Sequence, residues 1–221
     1  GPDGANGTFG QSVASAGDVN GDGFADMVVG AWGASSYVGR AYVYLGSATG
    51  LATSPATTLT GVSRGSVASA GDVNGDGFAD VVAGSVGASG QPGRADVYLG
   101  SATGLTTSPA TSLTGPDGAD GRFGRSVASA GDVNGDGYAD VVVGADGVSS
   151  NTGRAHVYLG SATGLATAPA TSLTGPDGTD GWFGWSVASA GDLNGDGEAV
   201  HARHRRLLRT GSHAGRAWRA T

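Results

Sequence analysis

The chain has 221 residues, long enough for one ordinary domain with a sizeable core, and 44 Gly and 7 Pro are set at recurring places, which excludes aperiodic disorder. It has no cysteine, which excludes disulfides and thiolate metal sites and leaves bound ions as the available staple. The net charge of −7 divides unevenly: residues 1–197 hold six Arg, eighteen Asp and no Lys, a net of −12 that gives no purchase on nucleic acid, whereas 198–221 hold six Arg and one Glu.

In chain order, the segment Val-Ala-Ser-Ala-Gly-Asp starts at Val13, Val67, Val127 and Val187, at spacings of 54, 60 and 60 residues. Periods of this size indicate a propeller or a solenoid. The units are placed at 1–60, 61–114, 115–174 and, in part, 175–197. The second is shorter because Gly61-Val62-Ser63-Arg64-Gly65 stands where the third has the longer run from Gly115 to Arg125. That deletion falls in a loop.

Within the third unit, four segments have strand character between turn signals: Phe123 to Ala130, Tyr138 to Gly144, Arg154 to Leu159 and Ala170 to Thr174. The second contains Val141-Val142-Val143, as a strand buried on both faces would. The fold class predicted is all-β: propeller blades of four antiparallel strands, about three complete repeats and a truncated fourth. Alternating strand direction puts the 1–2 and 3–4 loops on one side and the 2–3 and 4–1 loops on the other. The repeats differ most on that second side, at Trp32 and Tyr37, at Asp146 and Asn151, and at Trp182. A selective partner, protein or carbohydrate, is expected there.

The 1–2 loop carries the densest signal. Asp18 to Asp26 spells Asp-Val-Asn-Gly-Asp-Gly-Phe-Ala-Asp; the same nonapeptide returns at Asp72 to Asp80 and, with Tyr138 for Phe, at Asp132 to Asp140. Oxygen side chains at positions 1, 3, 5 and 9 with a free carbonyl at 7 suit a hard cation that takes six to eight oxygens, so each loop is a candidate Ca²⁺ site. An EF-hand would need a bidentate Glu at position 12, where Val29, Ala83 and Val143 stand inside predicted strands. Tandem β-roll nonapeptides need short contiguous periods, which these copies lack. A metal-free Asp/Asn/Gly hairpin turn would crowd three carboxylates for no gain.

The fourth unit keeps Asp192, Asn194 and Asp196 as a weak partial site, but Val200 occupies its ninth position and the expected Val-rich strand becomes His201-Ala202-Arg203-His204-Arg205-Arg206. A shifted reading frame or aberrant terminus explains 198–221 better than a designed basic arm.

At this point the chain resembles the FG-GAP repeats of integrin α-subunit propellers and of bacterial secreted proteins. Phe9-Gly10, Phe123-Gly124 and Phe183-Gly184 match the first half of the name; Gly30-Ala31-Trp32, Gly84-Ser85-Val86 and Gly144-Ala145-Asp146 match the second, without its proline. The second unit lacks Phe-Gly. The resemblance implies that Asp18, Asn20, Asp22 and Asp26 bind Ca²⁺ by side chains and Phe24 by its carbonyl. The same roles pass to Asp72, Asn74, Asp76, Phe78 and Asp80, and to Asp132, Asn134, Asp136, Tyr138 and Asp140. Because the family usually closes seven blades, further blades of a longer chain or self-assembly are expected. No apolar run has transmembrane length, so no membrane insertion is expected, and no signal peptide precedes the first repeat in this stretch.

Other chemistry is sparse. His156, whose equivalents are Tyr42 and Asp96, is expected to be a strand-surface residue rather than a general base. Arg40, Arg94 and Arg154, each in Gly-Arg-Ala, suit strand-end ion pairs better than anion binding. Trp182 and Trp185 suit packing between blades better than a sugar platform. The expectation is a non-enzymatic, extracellular or cell-surface, calcium-stabilised segment for adhesion or ligand recognition; a scaffold for a catalytic domain of a larger secreted protein is the alternative.

Overall fold

The computed structural model of the protein describes residues 1–189 apart from 5, 88 and 89. It contains three antiparallel four-stranded sheets in simple meander order. The first comprises β1 (Ser12–Gly17), β2 (Asp26–Ala31), β3 (Arg40–Tyr44) and β4 (Thr57–Thr60). The second comprises β5 (Arg64–Gly71), β6 (Asp80–Ser85), β7 (Arg94–Tyr98) and β8 (Thr111–Thr114). The third comprises β9 (Phe123–Gly131), β10 (Asp140–Ala145), β11 (Arg154–Tyr158) and β12 (Thr171–Thr174). These are propeller blades, and the strands predicted for the third unit fall within two residues of those observed. The predicted residues 192, 194 and 196, and the tail from 198, lie outside the described residues.

The motif Val-Ala-Ser-Ala-Gly encodes a bulge. In β1 the pairing jumps from Ser15–Met27 to Gly17–Asp26, and the same jump recurs at Ser69/Gly71 and Ser129/Gly131. Gly17 has φ +78°, a value at which a Cβ is penalised, and its N–H donates to Ser15 Oγ at 3.2 Å. The bulge ends pairing and turns the chain into the acidic loop. Outermost strands are the short, hydroxyl-rich β4, β8 and β12, reading Thr-Thr-Leu-Thr or Thr-Ser-Leu-Thr.

The two large core clusters lie between sheets, and a smaller one of Val29, Ala31, Ala34, Tyr42 and Tyr44 belongs to blade 1 alone. One cluster joins blades 1 and 2 through Val28, Val43, Leu59, Val67, Val81 and Tyr98; another joins blades 2 and 3 through Val82, Val97, Leu113, Phe123, Val127 and Tyr158. Each fully buried Leu or Val contributes about 1.5–3 kcal/mol. β6, covered by a blade on both sides, is buried along its whole length. Equivalent residues at the outer faces stay exposed: Leu51 is 42% exposed where Leu105 is 6%, and Leu173 is 48% where Leu113 is 0%.

The motif glycines Gly84, Gly124, Gly144 and Gly184 sit where backbones of neighbouring blades touch. A Cβ at Gly84 would lie 2.0 Å from the Gly124 carbonyl oxygen, and one at Gly144 would lie 2.0 Å from that of Gly184. Gly124 itself has φ +81°. Its partner Phe123 is fully buried, edge-on to Tyr158 at 6.1 Å. In the short second unit Arg64 takes the position of Gly124, with φ +58°, a left-handed conformation unusual for a residue with a side chain. The first strands are stitched across blades by serine: Val67 N–H donates to Ser12 Oγ and Val127 N–H to Ser66 Oγ.

Candidate metal loops and the opposite face

Each acidic loop is organised by its own first and last Asp. Asp18 Oδ1 accepts from the N–H groups of Gly21 and Asp22, and Oδ2 from Gly23, at 2.7 to 3.1 Å. Asn20 Nδ2 donates to Asp22 Oδ2, and Asp22 Oδ1 accepts from Phe24 N–H. Asp26 is buried at the loop base, where its two oxygens accept from Val19 and Gly46 N–H, both at 2.8 Å. The bond to Gly46 holds the start of the 3–4 loop on the same side as the 1–2 loop, as strand direction requires. The network repeats atom for atom in Asp72, Asn74, Asp76 and Asp80, with Gly100 for Gly46, and in Asp132, Asn134, Asp136 and Asp140, with Gly160.

These loops also join blades. Ala79 N–H donates to the Asp18 carbonyl and Ser101 N–H to that of Val19; Ala139 and Ser161 do the same to Asp72 and Val73. The ring of Phe78 lies over Gly21 and that of Tyr138 over Gly75, so the aromatic seventh residue caps the preceding blade's loop.

The electrostatics are one-sided. Burial pushes the Asp80 carboxyl up to about 6, with Asp76 and Asp72 adding to the rise against the backbone bonds from Gly100 and Val73. Asp140 is raised for the same reasons, burial first. Among the described residues no three His, Cys, Asp or Glu side chains are gathered as a ready-made metal cluster. The loop carboxylates lie on their own backbone amides instead. Each carboxylate retains lone-pair capacity beyond these bonds, although Oδ1 of Asp18, Asp72 and Asp132 already accepts two N–H groups. The donor set is wholly oxygen: three carboxylates, the Asn amide and the carbonyl of the seventh residue. It fits a hard cation and no thiophilic one.

Several predicted residues occupy unexpected places. His156 is 1% exposed, not on the surface: Nε2 lies 2.7 Å from Asp117 Oδ2 and Nδ1 lies 2.8 Å from Ser172 Oγ. Asp117 comes from the 4–1 loop and also binds Arg154. In blade 1, Asp3 binds Arg40 and the hydroxyl of Tyr42 in the same way. Blade 2 has lost that loop, and there Asp96, at the position of Tyr42 and His156, pairs with Arg94 at 2.8 Å and Ser112 at 2.7 Å. A carboxylate is thus supplied to the strand-end arginine in all three blades, once from within the strand. The ion pairs expected of Arg40, Arg94 and Arg154 are all present.

On the face opposite the acidic loops, Asp146 is fully buried against Arg122 at 3.5 Å. Asn151 Nδ2 donates to Asp180 Oδ1, and Trp182 N–H to the Asn151 carbonyl. Trp182 and Trp185 pack edge to face at 5.8 Å, with Arg122 over the first ring and Arg125 over the second at 5.0 and 3.7 Å. Sequence reasoning missed Asp3, Asp117, Arg64 and Arg125. Aligning the repeats on Phe-Gly exposes Arg64 directly, since it alone replaces the second residue.

Family models agree with this architecture. The FG-GAP-like repeat matches residues 18–83 and the FG-GAP repeat matches 123–158. The chain belongs to the FG-GAP repeat family. It is 36% identical over 159 residues to integrin alpha-5 of Xenopus laevis and to integrin alpha-IIb of Mus musculus, covering 64% of this chain and 15% of each relative. It is 31% identical over 203 residues to integrin alpha pat-2 of Caenorhabditis briggsae, covering 82% of this chain and 16% of that protein. The chain therefore spans less than a fifth of the length of these FG-GAP relatives. No helix among its described residues is long and apolar enough to cross a membrane.

Proposed function

We propose that this FG-GAP chain is a calcium-stabilised segment of an extracellular propeller that recognises a protein or carbohydrate ligand with the face opposite its acidic loops. The observation that carries the calcium part is the loop itself: three copies of an all-oxygen donor set, each with a buried carboxylate pushed toward neutrality or hydrogen-bonded at its base, each lying on a joint between blades. Asp18, Asn20, Asp22, Asp26 and the Phe24 carbonyl would hold Ca²⁺, as would Asp72, Asn74, Asp76, Asp80 with Phe78, and Asp132, Asn134, Asp136, Asp140 with Tyr138. The ion supplies positive charge that the loop lacks. The likeness to integrin alpha chains supports adhesion or ligand recognition and an extracellular setting, where calcium is plentiful enough for sites of about 10⁻⁴–10⁻³ M.

Thermal melting with calcium and with chelator tests this. For one site of Kd about 10⁻⁴ M, ten-millimolar Ca²⁺ adds about 2.7 kcal/mol to stability. Identical melting in calcium and chelator, with no heat of binding by calorimetry, overturns the calcium reading.

A further inference from the structure

Aligned on Phe-Gly, the residue that follows is Gln11, Gly65, Arg125 and Trp185 in the four units, while the Ser-Val after it never changes. This position differs in every unit, beside a Ser-Val pair that is the same in all four. The structure brings all four together: Gln11, Gly65, Arg125 and Trp185 line a cavity of about 510 Å³ with Trp32, Arg64, Ser12 and Ser66. Its volume is that of an ordinary small-ligand site.

The lining is rich in donors and poor in acceptors. Six arginines stand in the described residues. Arg40, Arg94, Arg122 and Arg154 are paired with Asp3, Asp96, Asp146 and Asp117. Arg64 and Arg125 have no ion pair among the described residues, and both line this cavity and the adjoining one of about 530 Å³. In a body where Asp outnumbers Arg three to one, the two unpaired guanidiniums meeting at one cavity is a charge arrangement that an anion would complete. Ser12 and Ser66 hydroxyls already accept N–H bonds from the next blade, so each retains its own hydrogen to donate. Arg125 Cζ lies 3.7 Å from the centroid of the Trp185 ring, and a guanidinium stacked on an aromatic face can still present its N–H fork to a carboxylate. Arg64 keeps its side chain at φ +58°, where the other units have Gly, a local cost that a binding role accounts for.

We infer that this cavity binds the carboxylate of a uronic-acid-bearing glycan, with Arg64 and Arg125 on the carboxylate and the indoles of Trp32 and Trp185 walling the sugar ring. Aromatic walls beside the cations favour a sugar over an acidic peptide, whose carboxylate needs the cations alone. The inference rests on the ligand-recognition reading above and adds the ligand's chemistry.

The test is calorimetric titration of the protein, in calcium, with a hyaluronan oligosaccharide and with its carboxyl-reduced, neutral counterpart. Only the acidic form binds, and Arg64→Gln, Arg125→Gln and Trp185→Ala each weaken it about tenfold or more, the loss of about 1.4 kcal/mol expected for one charge-assisted or stacking contact. Arg64→Lys restores part of the affinity. Variants are compared only where melting stays at the parent value. No binding of the acidic sugar at millimolar concentration, equal binding of the neutral form, or unchanged affinity in the double arginine variant overturns the inference. Binding of polyglutamate without the sugar assigns the cavity to an acidic protein and also overturns it. A chelator-sensitive melt without sugar binding sinks this inference alone; sugar binding without a chelator effect sinks the calcium reading alone.

Discussion

Gly30, Gly84 and Gly144 occupy one repeat position, yet alanine is expected to act oppositely at the first and at the other two. At Gly84 a Cβ would stand 2.0 Å from the Gly124 carbonyl oxygen and 3.1 Å from Val127 Cγ1; at Gly30 the nearest atoms are those of Ser12, at 3.5 Å or more. Neither glycine has positive φ, so alanine is conformationally allowed at both. Moving the Gly124 oxygen beyond 3.0 Å requires a shift of at least 1 Å between two packed sheets. Overpacking of this kind costs about 1–3 kcal/mol, and a backbone obstacle belongs at the upper end. With about 2–4 °C of Tm per kcal/mol in a chain of this size, Gly84→Ala lowers Tm by roughly 6–12 °C. Gly30→Ala gains up to about 1 kcal/mol from the smaller entropy of the unfolded chain. Circular-dichroism melts at fixed calcium decide it. Equal shifts for the two variants, or no loss in Gly84→Ala, would refute the account of glycine as the contact point between blades.

Three further outcomes are expected. Asp117→Ala strands buried His156 and half-exposed Arg154, and costs about 2 kcal/mol by urea denaturation, discounted from the 3–5 kcal/mol of a fully buried pair because Arg154 meets solvent. Tyr158 is fully buried, its hydroxyl has no hydrogen-bond partner among the described residues, and burial pushes it from 10.0 up to about 12. The folded state resists ionisation that the unfolded state undergoes, so this contribution is intact below pH 10 and is lost as pH rises toward 12, by at most about 3 kcal/mol before solvent screening. Tyr158→Phe should remove that alkaline component while leaving neutral stability nearly unchanged, as urea melts across pH 9 to 12 would show. Arg64→Gly relieves a left-handed residue and should raise stability by about 0.5–1 kcal/mol while weakening binding of the acidic sugar about tenfold or more, a trade of binding for stability. A drop in Tm would show that Arg64 has a structural partner.

Strands and loops were legible because their signals are local. Val141-Val142-Val143 between turn residues, and an Asp/Asn/Gly nonapeptide recurring at a fixed place, need no knowledge of distant partners. The burial of His156 was not legible, because its partner Asp117 lies 39 residues away in a loop that blade 2 lacks. Asp146, expected on a variable surface, is instead buried by Arg122 from the preceding loop. The motif glycines were visible as a pattern; why they are glycine depends on a carbonyl 40 residues on, as for Gly84 and Gly124. Arg64 shows in the sequence only as a break in the Phe-Gly motif, and Arg125 not at all, because what sets both apart is the lack of a carboxylate partner in space.

The three sheets never merge into one, and each stops at its rim in four residues dominated by threonine and serine, with a single leucine turned inward in β4 and β8. A rim so brief and hydroxylated offers a poor template for strand addition by a stranger. Lateral fusion is discouraged, whereas stacking of one sheet's broad apolar flank on another is what every internal joint already does. Such a chain can lengthen by duplicating units without acquiring a sticky circumference.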